Sequence, residues 1–576
     1  MSKLGIIMTG AVTCMAVSLW AQDEWKDPRV RTLCMPQRVM WTSGNTPSSR
    51  VENAEILLKE KYGQVPEGRF LAGTGCRMEN KGAPASVLVD FGRELHGGVQ
   101  LASGGPSKKG IKVRVRFGES AAEAMAELGE RGACNDHAIR DDVVALPWLG
   151  TRELGNTGFR FVRVDLVSEG VLSLESIRAV SLMRPMPQLG AFTCSDERLN
   201  QIWATAARTL HLCCQEYIWD GIKRDRLVWM GDMHPEVMAL MAVFGPQQVL
   251  TDSLDYMRHT TPPDAWMNGM PAYTLWWIRC QHDWYRYTGD RAYLAKQQAY
   301  LSAVLENVLK HMKPEGHYGL PSGFLDWPTQ HNRKAVDAGM QALMLMAVED
   351  GARLAEVLGD AELAARCKEG AARLRQVRPD PQGSKQAAAL LALAGLADPS
   401  ALHAQVLARD GVQGVSTFYG YYMLEAMAKA GDVQRGIDTV RDYWGAMLDM
   451  GATSFWEDFS VAWTNQAFRI DELPVPGKKD IHGDYGEFCY KGFRHSLCHG
   501  WSSGPAAWLI AHVLGIQPLE VGCKTVRVKP FLGGLSWAEG AFPTTAGVIK
   551  VRHARQGDGS VKSEVQAPDG IKIVRE

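Results

Sequence analysis

The stretch AVDAGMQALMLMAVEDGARLAEVLG, residues 335–359, is apolar at Val336, Met340, Leu343, Ala347 and Leu354, so these side chains fall near one face of a helix that ends at Gly359. The same recurrence at three and four runs from about residue 196 to 515. It predicts helices near 247–258, 272–288, 290–312, 360–375, 384–395, 418–430, 432–448 and 501–514, joined by short Gly, Pro or Asp loops. Roughly a dozen helices with no fixed sequence period points to a closed ring of hairpins and away from a solenoid.

On either side the period changes to two. SVLVDFG (86–92), IKVRVRFGES (111–120) and FRFVRVDLV (159–167) alternate apolar with polar between glycine-rich turns, the pattern of a sandwich or jelly roll. KTVRVKP (524–530) and GVIKVRHAR (547–555) repeat it at the C-terminal end. The expected chain is multidomain: a signal peptide at 1–21, a β-sandwich/jelly-roll domain at 30–192, an (α/α)6 toroid at 193–517 and a small β-sandwich domain at 518–576. The leader MSKLGIIMTGAVTCMAVSLWAQ has one Lys and an apolar run too short for a span, with Ala21 before the expected cut. That implies export, to the periplasm, although Leu19 is large for its place, and Cys14 leaves an anchor or lipidation open.

The 63 basic and 64 acidic residues give a net charge of −1 with no basic stripe, which argues against nucleic acid as a partner. None of the 12 cysteines forms a C-x-x-C pair, and His482, His495 and His499 lack metal-ligand spacing, so no metal or cofactor is expected. No segment after the leader is apolar for long enough to span a membrane.

Chemistry concentrates in five stretches: WDGIKRDRLVWMGDMHPE (219–236), MNGMPAYTLWWIRCQHDW (267–284), PSGFLDWP (321–328), GATSFWEDF (451–459) and FRHSLCHGWSSGP (493–505). Each pairs Asp, Glu or His with an aromatic side chain. Taken singly, these are ordinary caps and core tryptophans. A ring of helices, however, directs its loop ends toward one mouth, and a mouth lined by indoles and carboxylates suits a sugar, which offers apolar faces and hydroxyls. Two carboxyl groups across such a mouth meet the needs of glycoside hydrolysis.

These residues resemble family 78 α-L-rhamnosidases. DGIKRDRLVWMGD is similar to the family's D-x-x-x-R-D-E-R-x-x-W-x-G-D, SFWEDF to T-x-W-E, and SLCHGW to S-L-N-H-Y. VDFGRELHGGVQL, VRFGES and the C-terminal KTVRVKPFLGGLSWAEGAFPTTAGVIKV resemble the flanking domains. The resemblance implies an (α/α)6 barrel that releases terminal α-L-rhamnose by an inverting, metal-independent route. It implies Glu457 as general base and Asp220, Arg224, Trp229, Asp232 and His499 as sugar contacts. Trp277, Asp326, Trp327 and Trp456 join that group from the other loops. Where the family has R-D-E-R with Glu as general acid, this chain is one residue shorter at Arg224-Asp225-Arg226. Asp225 is the nearest carboxylate and the expected acid, with Asp232 and Glu236 behind it. Two alternatives stay open: a six-hairpin hydrolase or lyase for an acidic sugar, and a non-catalytic carbohydrate-binding relative.

Overall fold

A computed structural model describes residues 26–59, 75–105, 107, 109–488 and 491–576. The expected signal peptide, with Cys14, lies outside the described residues. Among them, no helix is long and apolar enough to cross a membrane, and the ten described cysteines are free thiols.

Residues 30–183 form one nine-stranded sheet in which every pairing is antiparallel. Its long central strand, Ala85–Gly104, pairs with Gly150–Leu166 and Gly170–Met183, and it bends at register breaks between Asp90 and Leu95 and between Gly97 and Val99. Gly97 sits at φ 136°, and a Cβ there would stand 2.0 Å from the Val180 carbonyl oxygen. Only glycine allows that approach. Val87, Val89, Val113, Val115, Val162 and Val164 pack on one face of the sheet as a core of their own.

The helical region opens with Glu197–Cys213, capped by the Asp196 carboxylate on the N–H groups of Arg198 and Leu199. It continues through Met230–Val243, Gln248–Thr260, Pro271–Thr288, Arg291–Lys310, Arg333–Leu358, Ala361–Leu374, Lys385–Leu393 and Gly420–Lys429. The decisive stretch is a single 26-residue helix ending at Gly359, φ 83°. Helices near 440 and 509 each contain a wider π turn.

The C-terminal strands make two small sheets, and neither is confined to residues after 518. Ala191–Cys194 pairs antiparallel with Trp537–Thr544, and Ile516–Pro518 pairs with Thr525–Val528, which lies parallel to Lys572–Arg575. The C-terminal residues Val526, Leu535, Phe542 and Ile549 therefore share one continuous apolar core with the helices. The strand immediately before the first helix thus belongs with the C-terminal sheet, which ties both ends of the helical region together.

Candidate active site

The opening half of the 219–236 motif is a loop, and its second half begins the helix Met230–Val243. Asp220 shapes the loop. One carboxylate oxygen accepts the N–H of Asp225 at 2.7 Å, and the other accepts that of Leu227 at 3.0 Å. Burial pushes its pKa up to about 7, opposed by the nearby His499. Trp229 precedes the helix without a capping side chain. Asn268, from the neighbouring turn, supplies the cap instead: its amide oxygen accepts from Met230 N–H and its NH2 donates to the Val228 carbonyl, both at 3.0 Å.

A second loop, 495–500, is stitched to the first. Gly500 N–H donates to the Asp220 carbonyl at 2.7 Å, and Gly221 and His499 form a β-bridge. His499 Nε2 then meets Asp232 at 3.1 Å, while the Tyr273 hydroxyl donates to the other Asp232 oxygen at 3.2 Å. Burial raises Asp232 to about 8 and lowers His499 to about 4, so this pair is predominantly neutral at pH 7. Glu236, one turn deeper, is buried, and its pKa is raised well above the ordinary value by burial and by Asp232. A side chain on Gly500 would collide with its carboxyl, so Glu236 packs under the site floor.

Glu457 sits on a third loop. Its N–H and Oε2 exchange hydrogen bonds with the carbonyl and N–H of Ser496, each at 3.0 Å, and its own carbonyl accepts from Thr417 Oγ1 at 2.5 Å and Trp501 Nε1 at 3.0 Å. Burial pushes the carboxyl well above its usual range, while the Ser496 N–H and the Arg224 guanidinium pull it down. Asp220 and Asp225 raise it further, so the first and third loops converge on one electrostatic cluster. Beside Glu457, Asp326, Asp458, His495 and Trp501 line a cavity of about 20 Å³. That is room for one water. Burial raises Asp458 to about 7 and Asp326 to about 6.

The aromatic wall runs along the loops from Trp229 to Tyr273 (ring centroids 5.9 Å), Phe324 (6.4 Å) and Trp327 (5.0 Å). Asp326, which precedes that tryptophan, accepts from Trp327 N–H at 2.8 Å and from the Ser416 hydroxyl.

Two expected sugar contacts belong elsewhere. Trp277 is fully buried, donates its indole N–H to the Leu254 carbonyl at 3.3 Å and packs edge-on against Tyr300 of the next helix. It seals a helix seam. Trp456 is likewise fully buried, edge-on to Phe459 at 5.4 Å, beneath the Glu457 loop. Local sequence placed both beside acids without revealing which way the rings turn.

The site also uses residues from the N-terminal domain that were not expected. His137 Nε2 stands 3.3 Å from the Asp225 carboxylate, and Asp136 pairs with Arg494 at 2.7 Å and lies 3.8 Å from Arg224. Glu119 accepts from Leu497 N–H at 2.6 Å and pairs with Lys223 at 2.9 Å. The signal lay in GES and CNDHA, polar clusters within β-rich text. Glu119, Glu123 and His482 also bring three donor atoms within 4.8 Å of one another, a geometry able to hold a cation. The Lys223 ammonium supplies positive charge there, 3.3 Å from Glu123.

This arrangement is a helical domain between β domains, with carboxyl groups and aromatic side chains gathered at its loops. Residues 187–380 match the bacterial α-L-rhamnosidase six-hairpin glycosidase domain, and residues 515–574 match the bacterial α-L-rhamnosidase C-terminal domain. The chain is 23% identical over 570 residues to an α-L-rhamnosidase of Streptomyces avermitilis, covering 90% of this chain and 52% of that one. Its fold is similar to that of the GH78 family rhamnosidase of Bacillus sp. GL1, with TM-score 0.72 and 21% identity over 86% of this chain and 53% of that one. It is also similar to the rhamnosidase from Klebsiella oxytoca solved with rhamnose bound, with TM-score 0.65 and 20% identity over 84% of this chain and 96% of that one. The chain spans about half the length of the Streptomyces and Bacillus relatives.

Proposed function

We propose that this protein is an exo-acting glycoside hydrolase that releases terminal α-L-rhamnose from plant or microbial glycans and glycosides, with the helices closed as an (α/α)6 ring around the site. The observation that carries this reading is the convergence of Glu457, Asp225 and Arg224 in one cluster, beside an aromatic wall and with room for a single water next to Glu457. The match to rhamnosidase domains supports rhamnose as the sugar.

In the proposed reaction Asp225 protonates the glycosidic oxygen as the leaving group departs, and Glu457 removes a proton from the water that attacks the anomeric carbon from the opposite face. Proton and charge balance within the pair. Arg224 favours the ionised state that the base needs, and Asp232, His499, Asp326, Trp229 and Trp327 bind the sugar. Asp220 acts through the loop that presents Asp225. The reaction needs no metal in this scheme. Export to the periplasm with residues 1–21 removed is part of the reading, and N-terminal sequencing of the mature chain tests it.

The experiment is a comparison of leaving groups. Glu457→Gln should lose turnover on every rhamnoside while still binding L-rhamnose, because the base contributes chiefly in the transition state. Asp225→Asn should lose about 10²–10⁴-fold on poor leaving groups and far less on activated aryl rhamnosides, where protonation matters little. Equal losses on both substrate classes would remove Asp225 from the acid role.

A further inference from the structure

Two cysteines from distant parts of the chain meet beneath the loops of the site. Cys213 is the last residue of the helix Glu197–Cys213, and Cys498 lies in the 495–500 loop between Ser496 and His499. They share a small buried cluster with Leu212 and Ile222, and neither has exposed surface. Cys214, the next residue along, belongs to the main helical core instead. The fold therefore selects Cys213 as the neighbour of Cys498, although two cysteines stand side by side in the sequence.

Backbone contacts hold the two segments together. The Asp220 carbonyl oxygen accepts the Gly500 N–H at 2.7 Å and, more weakly, the Cys213 thiol at 3.8 Å. Gly221 and His499 form a β-bridge beside them, and a Cβ on Gly221 would stand 3.0 Å from the Cys498 carbonyl oxygen, so the segments approach closely. The Cys498 thiol is itself a hydrogen-bond partner of Cys213. A disulfide needs neighbouring backbones and sulfurs that face each other. Both conditions hold here.

We propose that Cys213 and Cys498 join as a disulfide when the chain folds in an oxidising environment, and that this bridge braces the 495–500 loop against the helix. The oxidant is a low-molecular-weight disulfide, RSSR. One protein thiolate attacks it and releases RSH; the second protein sulfur then attacks the mixed disulfide and releases another RSH. The protein thus loses two hydrogens and RSSR gains them. Burial, with Cys498 adding to it, pushes the Cys213 thiol well above its ordinary pKa. A buried neutral thiol exchanges slowly, so the bridge forms before the loop closes and is sheltered afterwards. What it secures is the backbone of Ser496, whose N–H holds the Glu457 carboxylate at 3.0 Å. A cross-link from residue 213 to residue 498 closes a long loop, the case in which a disulfide restricts the unfolded chain most. The proposal stands whatever reaction the site performs.

The test uses the full chain, reduced in denaturant and refolded in two arms, one with a pair of reduced and oxidised glutathione and one with excess reductant. Free thiols are then alkylated in denaturant, and the digest is read by mass spectrometry. The glutathione arm should give one linked pair of peptides carrying Cys213 and Cys498, lighter by two hydrogens than the separate peptides. That arm should also melt about 3–6 °C above the reduced arm. The difference should vanish in Cys498→Ala and, separately, in Cys213→Ser. If the chain does not refold, the same mapping and the same melting comparison, before and after reduction, are made on protein isolated without reductant from an oxidising compartment of the expression host. Both cysteines alkylated in the oxidising arm, or either one linked to Cys214 or another cysteine, would overturn the bridge. A correct bridge with unchanged melting would overturn its bracing role.

Discussion

At the scale of single residues, the site is governed by how carboxyl groups are buried. To act as the proposed base, Glu457 must be ionised, yet burial favours its neutral form, and Arg224 is the charge that opposes this. The acidic limb of the kcat/KM profile should therefore lie above the ordinary Glu value of about 4.3. Removing a positive charge near an anion destabilises that anion and raises its pKa. Arg224→Met should consequently move the acidic limb to still higher pH, besides lowering activity. A limb that stays in place, or moves down, would show that Glu457 is not the group titrating there. Asp232 and His499 behave differently: burial raises Asp232 to about 8 and lowers His499 to about 4, so both are predominantly neutral between pH 5 and 7 and their hydrogen bonds change little there.

At the scale of elements, three loops from separate parts of the helical region are held by one another and by the β domain. The tightest join is Lys223, whose ammonium reaches Glu119 and Glu123 and donates to the carbonyls of Phe493 and His495 at 3.0 and 2.7 Å. Lys223→Met would leave two carboxylates buried together without their cation. Losing one partner of a buried pair costs about 3–5 kcal/mol. Calorimetry should show that loss as a lower Tm, and adding Glu123→Gln to the variant should recover part of it. An unchanged Tm would mean that the Lys223 ammonium does not hold this join together. Such a join was invisible in the sequence because it links residue 119 to residue 223, the first to residue 497 and the second to residues 493 and 495. What was legible was local: the long helix at 335–358, the alternating strands and the W-E-D loop each announce themselves within a few residues. Ring direction was not, which is why Trp277 and Trp456 looked like sugar contacts. Nor was the helix inside WMGDMHPE evident, since Gly231 and Pro235 argue against a helix that Asn268 caps from outside.

At the scale of the whole molecule, the domains are less separable than their sequence patterns suggest. The β domain keeps its own core, but the C-terminal strands share theirs with the helices and pair with Ala191–Cys194. A chain ending at residue 515 would expose that strand and the apolar side chains beneath Phe542 and Ile549. An unpaired strand over exposed core is an aggregation site. Such a truncation should accumulate as insoluble protein, whereas a soluble monomer with the parent's melting behaviour would show that the C-terminal strands are dispensable.

The central chemistry of the proposed reaction is that Asp225 and Glu457 act from opposite faces of the sugar, with Glu457 activating a water. Inversion needs about 6.5–9.5 Å between such carboxyl groups, and retention about 5–5.5 Å. Proton NMR in the first minutes of hydrolysis of an α-L-rhamnoside reads the difference directly, before mutarotation mixes the anomers. β-L-Rhamnose should appear first. If α-L-rhamnose appears first, a carboxylate has attacked the sugar itself, and the roles given to Asp225, Glu457 and the water between them are wrong.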